Sequence, residues 1–142
     1  MLDRERILSK IDSLEGYLRE LQAIVPGSYS EYLSSSEKRR ACERLLQISV
    51  ECVLDICSLF VAGLRLGLPA EESDLIELLC NNKVLSADTA AIVRSMKGFR
   101  NILVQDYAGT DTAIIYQIAT ERLMDFERFI KEVLGALRRE GD

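Results

Sequence analysis

Residues 86–109 read SADTAAIVRSMKGFRNILVQDYAG, and this stretch decides the fold. Ile92, Met96, Phe99 and Leu103 step by four, three and four, the spacing that places apolar side chains on one face of a helix. Ser86 is a capping residue ahead of the first turn and Gly109 a stop beyond the last, so the pattern predicts a helix over 86–109. Its later turns carry a polar edge of Arg100, Asn101, Gln105 and Tyr107. At 100° per residue, Arg100 and Tyr107 fall within about 20° of each other, roughly 10 Å apart along the axis. Gln105 lies about 140° round from Arg100, a gap that a long arginine side chain partly bridges. Ile102, Leu103 and Val104 are the packing residues between them.

The same arithmetic extends in both directions. Ile7, Ile11, Leu14, Leu18, Leu21 and Val25 alternate steps of four and three, predicting a first helix of about 23 residues that Pro26-Gly27 ends. Residues 28–36 are short, polar and tyrosine-containing, and Ser34 with Glu37 has the capping-box spacing for a second helix. From Cys52 to Leu64 apolar residues occupy nearly every face, interrupted by Asp55, Ser58 and Gly63, which marks a central buried element. A second subunit or the chain's own helices could supply that burial. Gly63 and Gly67 stand at Gly-x-x-x-Gly spacing, read as a frayed helix end, and Leu68-Pro69 closes the segment. Pro69 suits the first turn of a third helix, with Glu71, Glu72 and Asp74 complementing its dipole and Ile76, Leu79 and Cys80 on one side. Asp111 caps a last helix in which Ala119, Leu123, Phe126, Ile130, Val133 and Leu137 continue the step. Five helical segments with short connections and no alternating strand pattern give an all-α, up-and-down bundle forming a single domain over 1–142.

Composition narrows the chemistry. The chain has 48% hydrophobic and 29% charged residues, enough to bury a real core. It offers no window of some 18 uncharged apolar residues for a membrane span, and no apolar run follows Met1-Leu2-Asp3-Arg4-Glu5-Arg6, so a cytoplasmic location is expected. Cys42, Cys52, Cys57 and Cys80 are spaced by 10, 5 and 23, which matches no zinc pattern; buried apolar thiols are the expectation. The chain contains no histidine, which excludes Ser-His-Asp and Cys-His catalysis and histidine metal sites, and no Gly-rich phosphate loop. Neither metal nor cofactor is expected. A net charge of −5 gives no overall nucleic-acid footprint, so any RNA contact must be local. The candidate patches are Lys38, Arg39, Arg40 and Arg44; Arg94, Lys97 and Arg100; and Arg138 with Arg139.

Arg100-Asn101-x-x-x-Gln105-x-Tyr107 resembles the Arg-polar-x-x-x-His-x-Tyr motif of HEPN-domain proteins, specifically the HepT-like toxin group, with glutamine in place of the motif histidine. Glu43-Arg44-Leu45-Leu46-Gln47-Ile48-Ser49-Val50-Glu51 looks like that family's second helix, and Lys97-Gly98-Phe99 like its approach to the motif. The resemblance covers nearly the whole chain. It implies a helical bundle that homodimerises so that two motifs face one another, and metal-independent RNA cleavage as one half of a type VII-like toxin–antitoxin pair. The partner it implies is an MntA-like nucleotidyltransferase antitoxin that adds AMP to the motif tyrosine. On this resemblance Arg100 contacts the scissile phosphate, Asn101 supports it, Gln105 stands where the proton-moving histidine would be, and Tyr107 accepts AMP.

Glutamine cannot titrate near working pH, and loss of general acid or base help typically costs about 10² to 10⁴ in rate. Free tyrosine titrates near 10 and aspartate near 4, so Tyr107 or Asp106 would need a large shift to substitute. Weak or absent cleavage is therefore expected from a HEPN-type endoribonuclease scaffold. Two alternatives belong to other classes: a non-catalytic HEPN interaction partner of a nucleotidyltransferase, and a purely structural helical dimer.

Overall fold

The computed structural model describes residues 1–104 and 112–141. Among these residues the fold is all-helical: α1 (Arg4–Ile24), α2 (Tyr29–Ser34), α3 (Ser36–Gly63), α4 (Glu72–Asn81), α5 (Ala87–Val104), α6 (Thr112–Glu121) and α7 (Leu123–Gly141). The described part of α5 lies inside the helix predicted over 86–109; its expected stop at Gly109 and the expected cap at Asp111 lie outside the described residues.

The long α3 is the axis. α1 packs along it, α4, α5 and α6 meet other parts of its surface, and α7 closes against α1, α5 and α6. Val53, Ile56, Cys57 and Phe60 on one face and Cys52, Leu54 and Val61 to either side of it are all buried, so the chain itself covers much of the surface that the sequence left open to a second subunit. By length and composition α3 passes for a membrane span, with mean hydropathy 1.9 over its most apolar 18 residues, although Glu51 and Asp55 interrupt its apolar run; most of that window is buried within the bundle. The α1 stripe is as predicted, with Ile7, Ile11, Leu14, Leu18 and Leu21 all buried.

Three boundaries differ from the sequence reading. Residues 28–36 contain the short helix α2, capped by Ser28 Oγ, which accepts from the Glu31 N–H at 3.2 Å. The cap of α3 is therefore Ser35, which accepts from the Lys38 N–H at 3.2 Å, and not Ser34, whose hydroxyl donates back to Glu31. Likewise α4 begins after Glu71 rather than at Pro69, because Asp74 folds back to accept the Ala70 and Glu71 N–H groups.

The last predicted helix is two, broken at Arg122. The Thr120 hydroxyl donates to the carbonyls of Tyr116 (2.8 Å) and Gln117 (3.3 Å), the back-bonding that bends helices. The bend lets α6 lean on α1, α2 and α3 while α7 lies on α5. A one-residue break hardly disturbs the apolar phase, which is why periodicity alone reads straight through it.

Candidate active site

The site is built on the last described turns of α5. Met96 and Phe99 are buried and anchor the helix, which carries Arg100 at the edge of the core and leaves Asn101 exposed. Val104 at the end of the described stretch is 61% exposed. Gln105 and Tyr107 lie outside the described residues, as does Asp106. Of the four residues singled out from the sequence, the structure thus positions two, adjacent on one helix.

Arg100 is held by a residue that the motif does not contain. Its Nη2 donates to Glu72 Oε1 at 2.6 Å and its Nη1 to Glu72 Oε2 at 3.0 Å, a two-pronged pairing across to the first turn of α4. The guanidinium side chain is 20% exposed and the carboxylate 41%. The sequence assigned Glu72 to the helix dipole, and it does sit in that first turn, but its partner is 28 residues away and no local spacing links them. The hydrogen bond from Arg100 lowers the Glu72 pKa against the opposing effect of burial, with the charges of Arg100 and Lys97 helping. The same hydrogen bond raises that of Arg100, with Glu51 contributing through its charge. Both groups are therefore locked in their ionised forms.

Such an arrangement gives a fixed cation. Guanidinium has five N–H donors in a rigid fork, and Glu72 engages two, which leaves donors for a phosphate oxygen. Elsewhere the cysteines behave as buried apolar groups: Cys42, Cys52 and Cys57 are buried, all four thiols are free, and burial pushes Cys57 up to about 12. Arg39 in the first basic patch serves the fold, donating to the carbonyls of Leu33 and Tyr32 at the end of α2.

A family model described as ribonuclease HepT-like matches residues 14–133. The chain belongs to the HepT-like ribonuclease family. HepT-like relatives include the mRNA nuclease HepT of Shewanella oneidensis, 27% identical over 124 residues that cover 87% of this chain and 92% of that one. The tRNA nuclease HepT of Aphanizomenon flos-aquae is 24% identical over 139 residues, covering 96% and 95%. These two names give different RNA classes at nearly equal identity, so likeness at this level does not carry a substrate. Among solved structures, the tri-AMPylated S. oneidensis HEPN toxin in complex with MNT antitoxin is 26% identical, with a TM-score of 0.84 and coverage of 95% of this chain and 99% of that one. The all-helical HepT-like fold predicted from the sequence is thus the fold observed, with seven helices described rather than five.

Proposed function

We propose that residues 1–142 form a single HepT-like HEPN domain, the ribonuclease toxin of a type VII-like pair, whose cleavage activity is weak or absent because position 105 is glutamine. The observation that carries this reading is Arg100: it occupies the motif position at the edge of the core and is held in one orientation by Glu72. Cleavage by this route begins when the ribose 2′-oxygen loses its proton and attacks the phosphate. The charge that builds on the phosphorane oxygens is met by Arg100, with Asn101 beside it, and the departing 5′-oxygen takes up a proton. The reading needs no metal or cofactor. What it lacks is the proton carrier, since Gln105 offers only a neutral amide.

The domain acts as a cytoplasmic homodimer in which Arg100, Asn101, Gln105 and Tyr107 of both copies surround one cleft. Val104 and Ile114 support a covering second copy: they are exposed apolar side chains on α5 and α6, the elements flanking residues 105–111. Gln105→His restores the titrating group. Cleavage of RNA by that variant, absent in the parent and abolished again by adding Arg100→Ala, is the expected result; no cleavage from a folded Gln105→His dimer refutes the toxin-scaffold reading.

A second reading is favoured by the absence of any histidine in the chain: a non-catalytic HEPN partner of an MntA-like nucleotidyltransferase, with Tyr107 as the AMP acceptor. Incubation with the nucleotidyltransferase and ATP then adds AMP mass at Tyr107 and none to Tyr107→Phe. An unmodified protein under those conditions counts against it.

A further inference from the structure

The third basic patch of the sequence lies outside the proposed site and is only lightly engaged by the fold, Arg139 donating to the Lys83 carbonyl at 3.4 Å. Arg138 and Arg139 share α7 with Arg128 and Lys131, and at 100° per residue positions 128, 131, 135, 138 and 139 fall within an arc of about 100°. With Lys83 from the α4–α5 connection these cations line an open cavity of about 780 Å³. Gly135 lies in the middle of the arc and leaves the floor without a side chain.

The charge of this cavity is unusual for a chain of net charge −5. The carboxylate on its wall, Glu132, is already occupied: it accepts the Ser86 N–H at 2.8 Å, the Ser86 hydroxyl at 2.8 Å and the Thr89 hydroxyl at 2.5 Å. Arg128 pairs with Asp88 at 3.4 Å, between two well-exposed side chains, while Lys83, Lys131, Arg138 and Arg139 make no ion pair among the described residues. Lys83 also sits in the left-handed region, φ 61°, where glycine is accommodated with least strain. The chain keeps a cation there.

We propose that this cavity binds the phosphate backbone of the RNA strand whose scissile phosphate is held at Arg100. The inference rests on the ribonuclease-scaffold reading above. Position and spacing support a strand rather than a single phosphate. The cations run from Arg128 to Arg139, about 16 Å of helix, the span of roughly five phosphates at 3.4 Å per nucleotide. The cavity is also tied to the site through α5. Ala87 on its lining, Arg94 and Asn101 are exposed on α5 at seven-residue steps, within about 40° of one another around the helix and about 21 Å along it. A strand lying along that exposed face runs from the cavity to the residue beside Arg100.

The test is fluorescence anisotropy of a labelled 12-nucleotide single-stranded RNA, titrated with the full chain between 0.05 and 0.5 M salt. Lys131→Ala/Arg138→Ala removes two phosphate contacts, so the slope of log affinity against log salt shrinks by about 1.4 and affinity at 0.1 M falls about 25-fold. Lys131→Arg/Arg138→Lys keeps parental binding, and unchanged thermal melting of both variants separates lost contacts from lost fold. If the alanine pair binds like the parent while Arg100→Ala binds more weakly, the cavity proposal is overturned and the scaffold reading stands. If the alanine pair keeps its RNA affinity but loses affinity for the antitoxin, the cavity is a protein-docking surface and the proposal falls. A parent that binds no RNA even at 0.05 M salt overturns both.

Discussion

Glu72→Gln keeps the size of the side chain and one acceptor oxygen but removes the charge that grips both terminal nitrogens of Arg100. Hydrogen bonds to charged groups contribute about 1.5–3 kcal/mol when well buried. Here the carboxylate is 41% exposed, so water screens the pair towards the range of surface pairs, and a loss of about 1 kcal/mol is expected. For a chain of this length that corresponds to a fall in Tm of roughly 3–4 °C. The pH dependence gives a sharper signature. Because the Arg100 hydrogen bond depresses the Glu72 pKa in the folded state, the stabilisation is complete above the unfolded glutamate value, near 4.3, and drains away as pH falls through the lower folded value. Urea unfolding followed by circular dichroism at pH 7, 5 and 3 therefore shows a constant gap between parent and variant at the first two values and a closing one at the third. Equal stability at pH 7, or a gap that survives at pH 3, refutes the reasoning. Freed of its counter-charge, Arg100 also holds RNA more tightly in the variant, with a salt slope steeper by about 0.7.

Lys83→Gly relieves a left-handed lysine and keeps the carbonyl that accepts from Arg139, so stability rises by about 0.5–1 kcal/mol while RNA affinity drops; a lower Tm counts against the strain argument. At Gly63 an added Cβ would lie 2.8 Å from Leu2 Cδ2 and 2.9 Å from Leu2 Cα, so Gly63→Ala forfeits the usual helix gain of about 1 kcal/mol. Deleting residues 1–2 removes that contact, and in the shortened background the same substitution is expected to be stabilising; identical effects in the two backgrounds would rule the contact out. Cys57, buried and with its thiol pushed up to about 12, reacts with a thiol reagent at pH 8 only at the rate of unfolding, whereas half-buried Cys80 reacts first. Mass spectrometry of partially labelled protein orders the two.

The parts of the fold legible in sequence are those where one periodic stripe meets one partner, as in α1, where five of the six predicted stripe positions are buried and the sixth, Val25, is the half-buried C-cap. Ser86 was legible for the same reason, since a cap acts within three residues, and its hydroxyl does accept the Thr89 N–H at 3.2 Å. What escaped is decided by competition or by distance. Three serines in a row offer three caps, and α2 ending at Ser34 selects Ser35. The break at Arg122 depends on where α6 and α7 find partners, which no local pattern encodes. At the candidate site, Arg100 is singled out by the family resemblance of its motif, whereas Glu72 reaches it only through the packing of α4 on α5. A carboxylate in a first turn has an adequate local explanation, and that explanation concealed its second role.

The arginine-bearing helix α5 is fastened at both ends by carboxylates from other helices: Glu132 of α7 takes the hydroxyls and the N–H at its start, and Glu72 of α4 takes the guanidinium near its finish. Burial opposes ionisation of Glu132, but the hydrogen bonds from Thr89 and Ser86 outweigh it, so both carboxyls stay charged below the ordinary range. Acid below the ordinary carboxylate range therefore unfastens these ends while the apolar contacts of Val93, Met96 and Phe99, indifferent to protons, still hold the middle. The cation at the edge of this core is mounted on an element whose fastenings outlast mild acid and let go only below the ordinary carboxylate range.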